Sequence, residues 1–103
     1  MTIEDINRLC EKSALRWTNH IIKRLLQRGI MVEDVKTALK SGKIIEQYSN
    51  DYPFPSCLVL GYTKAGKPLH IVCGKDGEEL WLITAYYPSP GEWTENFIQR
   101  RKV

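Results

Sequence analysis

The sequence predicts an α+β fold in which N-terminal helices pack on one face of a roughly four-stranded antiparallel sheet. Apolar residues recur with helical spacing up to Gly42, and beyond it they alternate or form short runs rich in β-branched and aromatic residues. Glycine-containing loops at 64–67 and 74–77 have the length of hairpin connections. We therefore expect the last three strands to form a meander, followed by a short C-terminal helix.

Three helices are predicted in the first 40 residues. The first begins at Thr2, whose hydroxyl can cap it, and runs to about Lys12. The second begins near Thr18 and ends at Gly29, which can adopt the left-handed conformation that closes a helix. The third covers residues 32–40. Met31 stands where a serine or threonine cap would be expected before it.

A helical wheel of the second helix shows a wide apolar sector, which we expect to face the core. The sector contains Trp17, Ile21, Ile22, Leu25 and Leu26. Along one edge of it run three basic side chains, His20, Arg24 and Arg28, hereafter the basic row.

Four strands are expected, at 43–48, 56–62, 68–73 and 79–86. The two prolines between Asp51 and Pro55 predict a loop there. The run that starts at Ser89 resembles a capped helix start, with Trp93 and Phe97 on one face of the helix that would follow. A sheet with helices on one side can leave its other face open, and a functional site is expected on that face.

The composition predicts one globular domain covering residues 1–103, with 43% hydrophobic and 26% charged residues. The longest uncharged stretches fall well short of the roughly 18 apolar residues of a membrane span, and the first residues are acidic, so we expect a cytoplasmic protein. A net charge of +3 permits contact with nucleic acid without requiring it. The basic cluster of residues 100–102 is expected to be a solvated tail.

Several chemistries are disfavoured by the residue inventory. The three cysteines, Cys10, Cys57 and Cys73, include no Cys-x-x-Cys pair, which argues against a disulfide framework or a ribbon-type zinc site. No phosphate-binding loop, dinucleotide fingerprint or His-Glu-x-x-His motif occurs. We expect neither a metal nor a cofactor, and a metal or small-molecule enzyme is the least favoured alternative.

Two histidines among arginines, lysines and tyrosines suit metal-free RNA cleavage. In that reaction a 2′-hydroxyl attacks the adjacent phosphate, a base and an acid move protons, and cations stabilise the added charge. Each residue also has an ordinary structural explanation: His20 can close a helix end, the arginines can cover apolar surface, and His70 can be a hydrogen-bonded strand residue. Thr84 and Tyr86 are common strand residues. His70 shares a face with them only if paired residue numbers in the last hairpin have an even sum.

The order of these motifs resembles a family of small bacterial domains of unknown function that is grouped with RelE-like ribonuclease toxins. The resemblance covers roughly Trp17 to Pro88. It rests on Thr18-x-His20-x-x-x-Arg24-x-x-x-Arg28-Gly29-Ile30, on Asp34-Val35 and Ala38-Leu39, on Gly66-Lys67-Pro68-Leu69-His70-Ile71-Val72, and on Thr84-Ala85-Tyr86-Tyr87-Pro88. It implies the fold of barnase, EndoU, colicin and RelE, in which an exposed concave sheet face engages RNA.

The same resemblance implies a metal-independent endoribonuclease whose partner is an antitoxin, often one with a zinc-finger segment and a helix-turn-helix. By position, it implies catalytic roles for His20, Arg24, His70 and Tyr86, and substrate binding by Arg28, Lys67 and Thr84. RNA and the antitoxin are then the expected partners, with no membrane and no direct DNA contact. The alternative is a non-catalytic module of this fold that binds RNA or protein.

Overall fold

The computed structural model describes residues 1–102 and confirms the α+β class, with three helices and a five-stranded, mostly antiparallel sheet. The helices are α1 (Ile3–Glu11), α2 (Asn19–Arg28) and α3 (Val32–Lys40). The strands are β1 (Leu15–Trp17), β2 (Lys43–Tyr48), β3 (Ser56–Tyr62), β4 (Pro68–Asp76) and β5 (Glu79–Tyr86). None of these helices exceeds 10 residues, so within residues 1–102 no helix could cross a membrane.

The helices begin and end where their capping residues predict. The Thr2 hydroxyl accepts a hydrogen bond from the amide of Asp5, and the Thr18 hydroxyl accepts one from the amide of Ile21 at 3.0 Å. Gly29 closes α2 in the left-handed conformation, with φ of 66°. Met31 offers α3 no side-chain cap, although the Asp34 carboxylate accepts a hydrogen bond from the Met31 amide at 2.9 Å.

The expected four-stranded sheet gains a fifth strand at one edge. Its order is β1-β5-β4-β3-β2, and the short strand β1 pairs in parallel with β5 at Leu80–Leu82. β4 also extends to Asp76, so the last hairpin turns over only two residues instead of the four predicted. β1 was not predicted, because three residues are too few to show the alternating pattern by which a strand is recognised.

The core lies between the helices and one face of the sheet, here called the inner face. The strand residues at its centre are fully buried: Cys57, Val59, Leu69, Ile71, Cys73, Leu80, Leu82 and Ala85. α3 lies so close to β3 that a Cβ at Gly61 would come within 1.9 Å of the Ala38 carbonyl oxygen. Glycine is therefore needed at that crossing.

The apolar sector of α2 is only partly buried, contrary to its prediction as a core face. Ile21 and Leu25 pack into the core, whereas Ile22 is 40% exposed and Leu26 is 80% exposed. The buried stripe is narrow because α2 packs mainly along one strand, β5.

The last hairpin contains both of the possible registers. His70 pairs with Tyr86, an even sum, whereas Cys73 pairs with Leu82, an odd sum, because a β-bulge separates the two stretches. His70 therefore shares the outer face of the sheet with Tyr86, and Thr84 lies on that face two positions before it.

The predicted C-terminal helix is wrong. The amides of Glu92 and Trp93 both donate to the Ser89 carbonyl at 3.0 Å, but the helix stops after this single turn. Trp93 then pairs with Arg100 in an irregular hairpin, and Phe97 has φ of 60°. This segment, residues 88–102, is called the C-terminal strap. It packs on the outer face, so the face predicted to be open is covered around His70.

Candidate functional site

The basic row lies exposed along α2, and its last member touches the sheet. Arg28 donates from Nη1 to the Ala85 carbonyl at 2.7 Å and to the Thr84 hydroxyl at 3.4 Å. β1 covers only the first part of β5, so the edge of β5 beyond Leu82 has no neighbouring strand. Arg28 therefore satisfies a carbonyl that the sheet leaves unpaired, which also gives it a structural role.

The other two members of the row lie farther along the helix. Arg24 donates from Nη1 to the Gln27 side chain at 3.1 Å, and the His20 imidazole makes no hydrogen bond within residues 1–102. At a rise of 1.5 Å per residue, His20 is about 12 Å from Arg28 along the helix axis. The row is thus an extended strip of basic side chains, long enough to meet more than one phosphate of a chain.

His70 lies on the outer face of β4 with none of its surface exposed. Its Nε2 donates to the Phe97 carbonyl at 2.8 Å, which leaves Nδ1 to accept a hydrogen bond from the Tyr86 hydroxyl at 3.3 Å. The Trp93 ring packs edge to face against the imidazole, with ring centroids 4.4 Å apart. Burial lowers the pKa of His70, so its neutral form is favoured.

A carboxylate and a guanidinium hold the strap beside His70. Arg100 donates from Nε and Nη2 to the two oxygens of Glu46, both at 3.1 Å, and its guanidinium lies 4.8 Å from the centre of the Trp93 ring. Burial alone would raise the pKa of Glu46, but hydrogen bonds from Arg100 and Tyr48 lower it below its ordinary value. Burial, with the hydrogen bond to Glu46, raises the pKa of Tyr48 to about 12.

Neither Glu46 nor Arg100 has a functional role predicted from the sequence. Arg100 is not part of a solvated tail, because it is anchored to β2 through Glu46. No local pattern relates two residues 54 positions apart, and no signal in the sequence marks them as partners.

Tyr86 joins the buried histidine to the basic row. Its side chain is half-buried, its hydroxyl donates to His70, and Arg28 is close enough to act on it electrostatically. Burial raises the pKa of Tyr86, while Arg100 and Arg28 act in the opposite direction. A phenol held in this way lies at the boundary between the covered outer face and solvent.

Lys67 lies at the same end of the sheet, just before β4. Its ammonium group is 5.5 Å from the centre of the Tyr87 ring, and both residues are exposed. Tyr87 belongs to the motif Thr84-Ala85-Tyr86-Tyr87-Pro88 but has no role predicted from the sequence. An exposed aromatic ring beside a lysine is a surface on which an unpaired base can stack.

The structure brings some of the predicted site residues together and separates others. Arg28 contacts Thr84, and His70 contacts Tyr86. The two histidines do not meet: the hydrogen bonds and aromatic contacts of the His70 ring are with Tyr86 and the strap, and His20 stands exposed at the start of α2. The arrangement can bind phosphates with exposed guanidinium groups and can present one histidine and one tyrosine to a substrate.

The cysteines do not join this site. Cys57 and Cys73 belong to the inner face, with their Sγ atoms 3.9 Å apart, whereas His70 is on the outer face. Across residues 1–102 no three histidine, cysteine, aspartate or glutamate side chains are grouped so that they could hold a metal ion.

Comparison with known proteins places the site within one family. No curated protein and no solved structure matches the chain. The profile of one protein family matches residues 17–87, which include the basic row and strands β2 to β5 but neither α1 nor the strap. The family's description names no function. The chain belongs to the family described as a domain of unknown function, DUF4258.

Proposed function

We propose that the protein is a metal-independent endoribonuclease that acts as the toxin of a bacterial toxin–antitoxin pair. The observation that carries the proposal is the exposed basic row, whose last member, Arg28, contacts Thr84 beside Tyr86. The resemblance of the motif order to a family of small domains that is grouped with RelE-like ribonuclease toxins adds to it. RNA is the expected substrate and an antitoxin protein the expected partner.

Arg28 is held in a way that suits phosphate binding. Arg28 makes both of its hydrogen bonds through Nη1. Within residues 1–102 the N–H groups of Nη2 and Nε therefore have no acceptor. A phosphate at this position would receive two parallel hydrogen bonds from a guanidinium that the sheet already orients. Arg24, one turn earlier, would stabilise the charge that develops as the 2′-oxygen attacks.

Proton transfer falls to the two accessible groups. His20 would take the proton of the 2′-hydroxyl or donate one to the departing 5′-oxygen, because an imidazole can do either near neutral pH. Tyr86 is the second candidate, and Thr84 would orient the substrate. His70 has no exposed atom, so in this proposal it is a positioning residue that holds the Tyr86 hydroxyl.

One observation favours a second candidate, a non-catalytic module that binds RNA or protein. The strap seals His70, which removes one of the two histidines from direct contact with any substrate. A basic row without a histidine pair would still attract a polyanion. Such a module predicts binding that weakens as salt rises, with no strand cleavage.

Cleavage of a single-stranded RNA by the purified full chain in the presence of a metal chelator tests the proposal. We expect fragments that end in a 2′,3′-cyclic phosphate, and no cleavage of the same sequence carrying 2′-O-methyl groups. Arg24→Ala and His20→Ala are each expected to slow cleavage about 100-fold or more. Lys23→Ala is the matched control, because Lys23 is an exposed cation on the same helix but outside the basic row.

The outcomes separate the two candidates. RNA that is bound but intact would establish the binding module and overturn the nuclease. Cleavage that persists in a folded His20→Ala, Arg24→Ala double variant would overturn the assigned residues. In cells, induction of the wild-type chain is expected to arrest translation, and the same double variant is expected to relieve the arrest.

A further inference from the structure

Two buried cysteines lie directly opposite each other in the sheet. Cys57 on β3 pairs with Cys73 on β4, and their Sγ atoms are 3.9 Å apart. Both are free thiols, and both belong to the core on the inner face. The proposed function uses neither of them, so their juxtaposition is a separate feature of the molecule.

The positions of the two cysteines suit a covalent bridge. Directly opposed residues of antiparallel strands have Cα atoms about 4.5 to 5.5 Å apart, which falls within the roughly 4.4 to 6.8 Å that a disulfide spans. Their Cβ atoms are ordinarily about 4.5 to 5.5 Å apart, against about 3.5 to 4.5 Å in a disulfide. The bond would therefore draw β3 and β4 slightly together, which makes it easier to reduce than a structural disulfide.

We propose that Cys57 and Cys73 are a redox-sensitive pair, which hydrogen peroxide oxidises to an intramolecular disulfide and a thiol reductant restores. This is a single bridge between neighbouring strands, not the disulfide framework that the cysteine spacing argues against. In the described part of the chain, residues 1–102, no further histidine, cysteine or carboxylate is grouped with the two thiols to complete a metal site.

A row of three sulfur atoms gives each cysteine a role. The Cys57 thiol donates to the thioether sulfur of Met1 at 3.8 Å, so Cys73 is left to donate to the Cys57 sulfur. That hydrogen bond lowers the pKa of Cys57, whereas the same bond, together with burial, raises the pKa of Cys73. Because the thiolate is the nucleophile, Cys57 reacts with the oxidant and Cys73 closes the bridge.

The oxidation takes place in two steps. The Cys57 thiolate attacks one oxygen of hydrogen peroxide, the O–O bond breaks, and a sulfenic acid forms at Cys57 while the departing hydroxide takes up the proton that the thiol lost. The Cys73 sulfur then attacks the sulfenic sulfur, the S–O bond breaks, and the departing hydroxide takes the Cys73 proton. Two thiols thus lose two electrons and two protons, and the peroxide is reduced to two molecules of water.

The Met1 side chain controls access to the pair. Neither cysteine has exposed surface, but the partly exposed Met1 contacts Cys57 and lines a groove of about 220 Å³. Met1 precedes the capping residue of α1, so it can move aside without unfolding the helix. Hydrogen peroxide is hardly larger than water, and this small opening is enough to admit it.

Peroxide treatment of the folded full chain carrying Cys10→Ala tests the proposal. This variant keeps only the two paired thiols, and it should fold because Cys10 is partly exposed and alanine suits a helix. After unfolding and alkylation, we expect no free thiol and a proteolytic fragment in which Cys57 is joined to Cys73. Dithiothreitol is expected to restore both thiols.

Two variants in the same background test the assigned roles. With Cys73→Ala, Cys57 has no partner, so peroxide is expected to add oxygen to Cys57 instead of forming a bridge. With Cys57→Ala, Cys73 is expected to remain a free thiol. Oxygen added to Cys73 as fast as to Cys57 would overturn the order of the two steps.

The parent variant decides the proposal even if neither alanine variant folds. Two free thiols after peroxide treatment would overturn the proposal, and the pair would then be ordinary core residues. Bridges that form only between chains, or only after unfolding in urea, would overturn it as well. All of these results are independent of whether the protein cleaves RNA.

Discussion

Lowering the pH from about 7.5 to about 5.5 is expected to destabilise the fold through His70. Burial lowers the pKa of this imidazole in the folded chain, so it stays neutral there, whereas in the unfolded chain it takes up a proton near its ordinary pKa of about 6.5. The unfolded state therefore binds more protons as the pH falls. The stability present above pH 6.5 is lost as the pH falls toward the folded pKa.

The size of the effect follows from one proton. A single group changes the free energy of unfolding by at most about 1.4 kcal/mol per pH unit. Protonation of the unfolded chain begins near pH 6.5, so the loss between pH 7.5 and pH 5.5 is at most about 1.4 kcal/mol. For a domain of this size, that corresponds to a fall in Tm of roughly 5 to 10 °C. Glu46, whose pKa is lowered, keeps its carboxylate ionised throughout this range.

Urea unfolding at three pH values measures the effect. His70→Gln removes the titrating group and is expected to be less stable at pH 7.5 but nearly independent of pH down to 5.5. His20→Gln is the matched control, because the His20 imidazole is exposed and makes no hydrogen bond within residues 1–102. A wild-type protein without a pH slope, or a His70→Gln variant that keeps the full slope, would refute the reasoning.

Four further substitutions test the packing, backbone geometry and helix capping that position the site. Gly61→Ala is expected to destabilise the fold by about 3 kcal/mol or more, because its Cβ would collide with the Ala38 carbonyl oxygen at 1.9 Å. Gly29→Ala should cost only about 1 kcal/mol, because no atom lies within 4 Å of its Cβ and only its positive φ disfavours alanine. Equal losses of stability in the two glycine variants, measured by thermal unfolding, would contradict this account. Trp93→Ala is expected to cost about 3 kcal/mol, since the ring is only 3% exposed, and a change in Tm below a few degrees would show that the strap does not hold the outer face. Met31→Ser is expected to add about 0.5 to 1 kcal/mol to the stability by capping α3; a lower Tm would contradict the capping argument.

Features that depend on neighbouring residues were predicted correctly. Thr18 and Gly29 mark the ends of α2 through hydrogen bonds and backbone geometry within a few positions, and the structure places both as expected. β2, β3 and β5 also have their predicted bounds, because alternation and flanking loops delimit them locally. The failed helix after Ser89 shows the limit of such signals. The capped start forms one helical turn. Packing of Trp93 on His70 then stabilises the segment more than further turns of a helix with weak intrinsic propensity would.

The candidate site divides in the same way. Helical geometry alone placed His20, Arg24 and Arg28 on one side of α2, and their exposure agrees with it. The register of His70 could be stated only as two alternatives, because a bulge between distant strands decides it. A hydrogen-bonded strand residue was one expected explanation of His70, but its complete burial depends on the strap, which no local pattern predicts.

The sequence by itself determined the class of the fold, the ends of its helices and the basic row, because capping, periodicity and turn chemistry act over a few neighbouring residues. Only the tertiary structure decided that β1 joins the sheet, that Arg28 reaches Thr84, and that Glu46 and Arg100 close the strap over His70. These features join residues up to 65 positions apart. Such contacts form only when burial and hydrogen bonding offset the entropy of bringing distant segments together, and no short pattern encodes that balance.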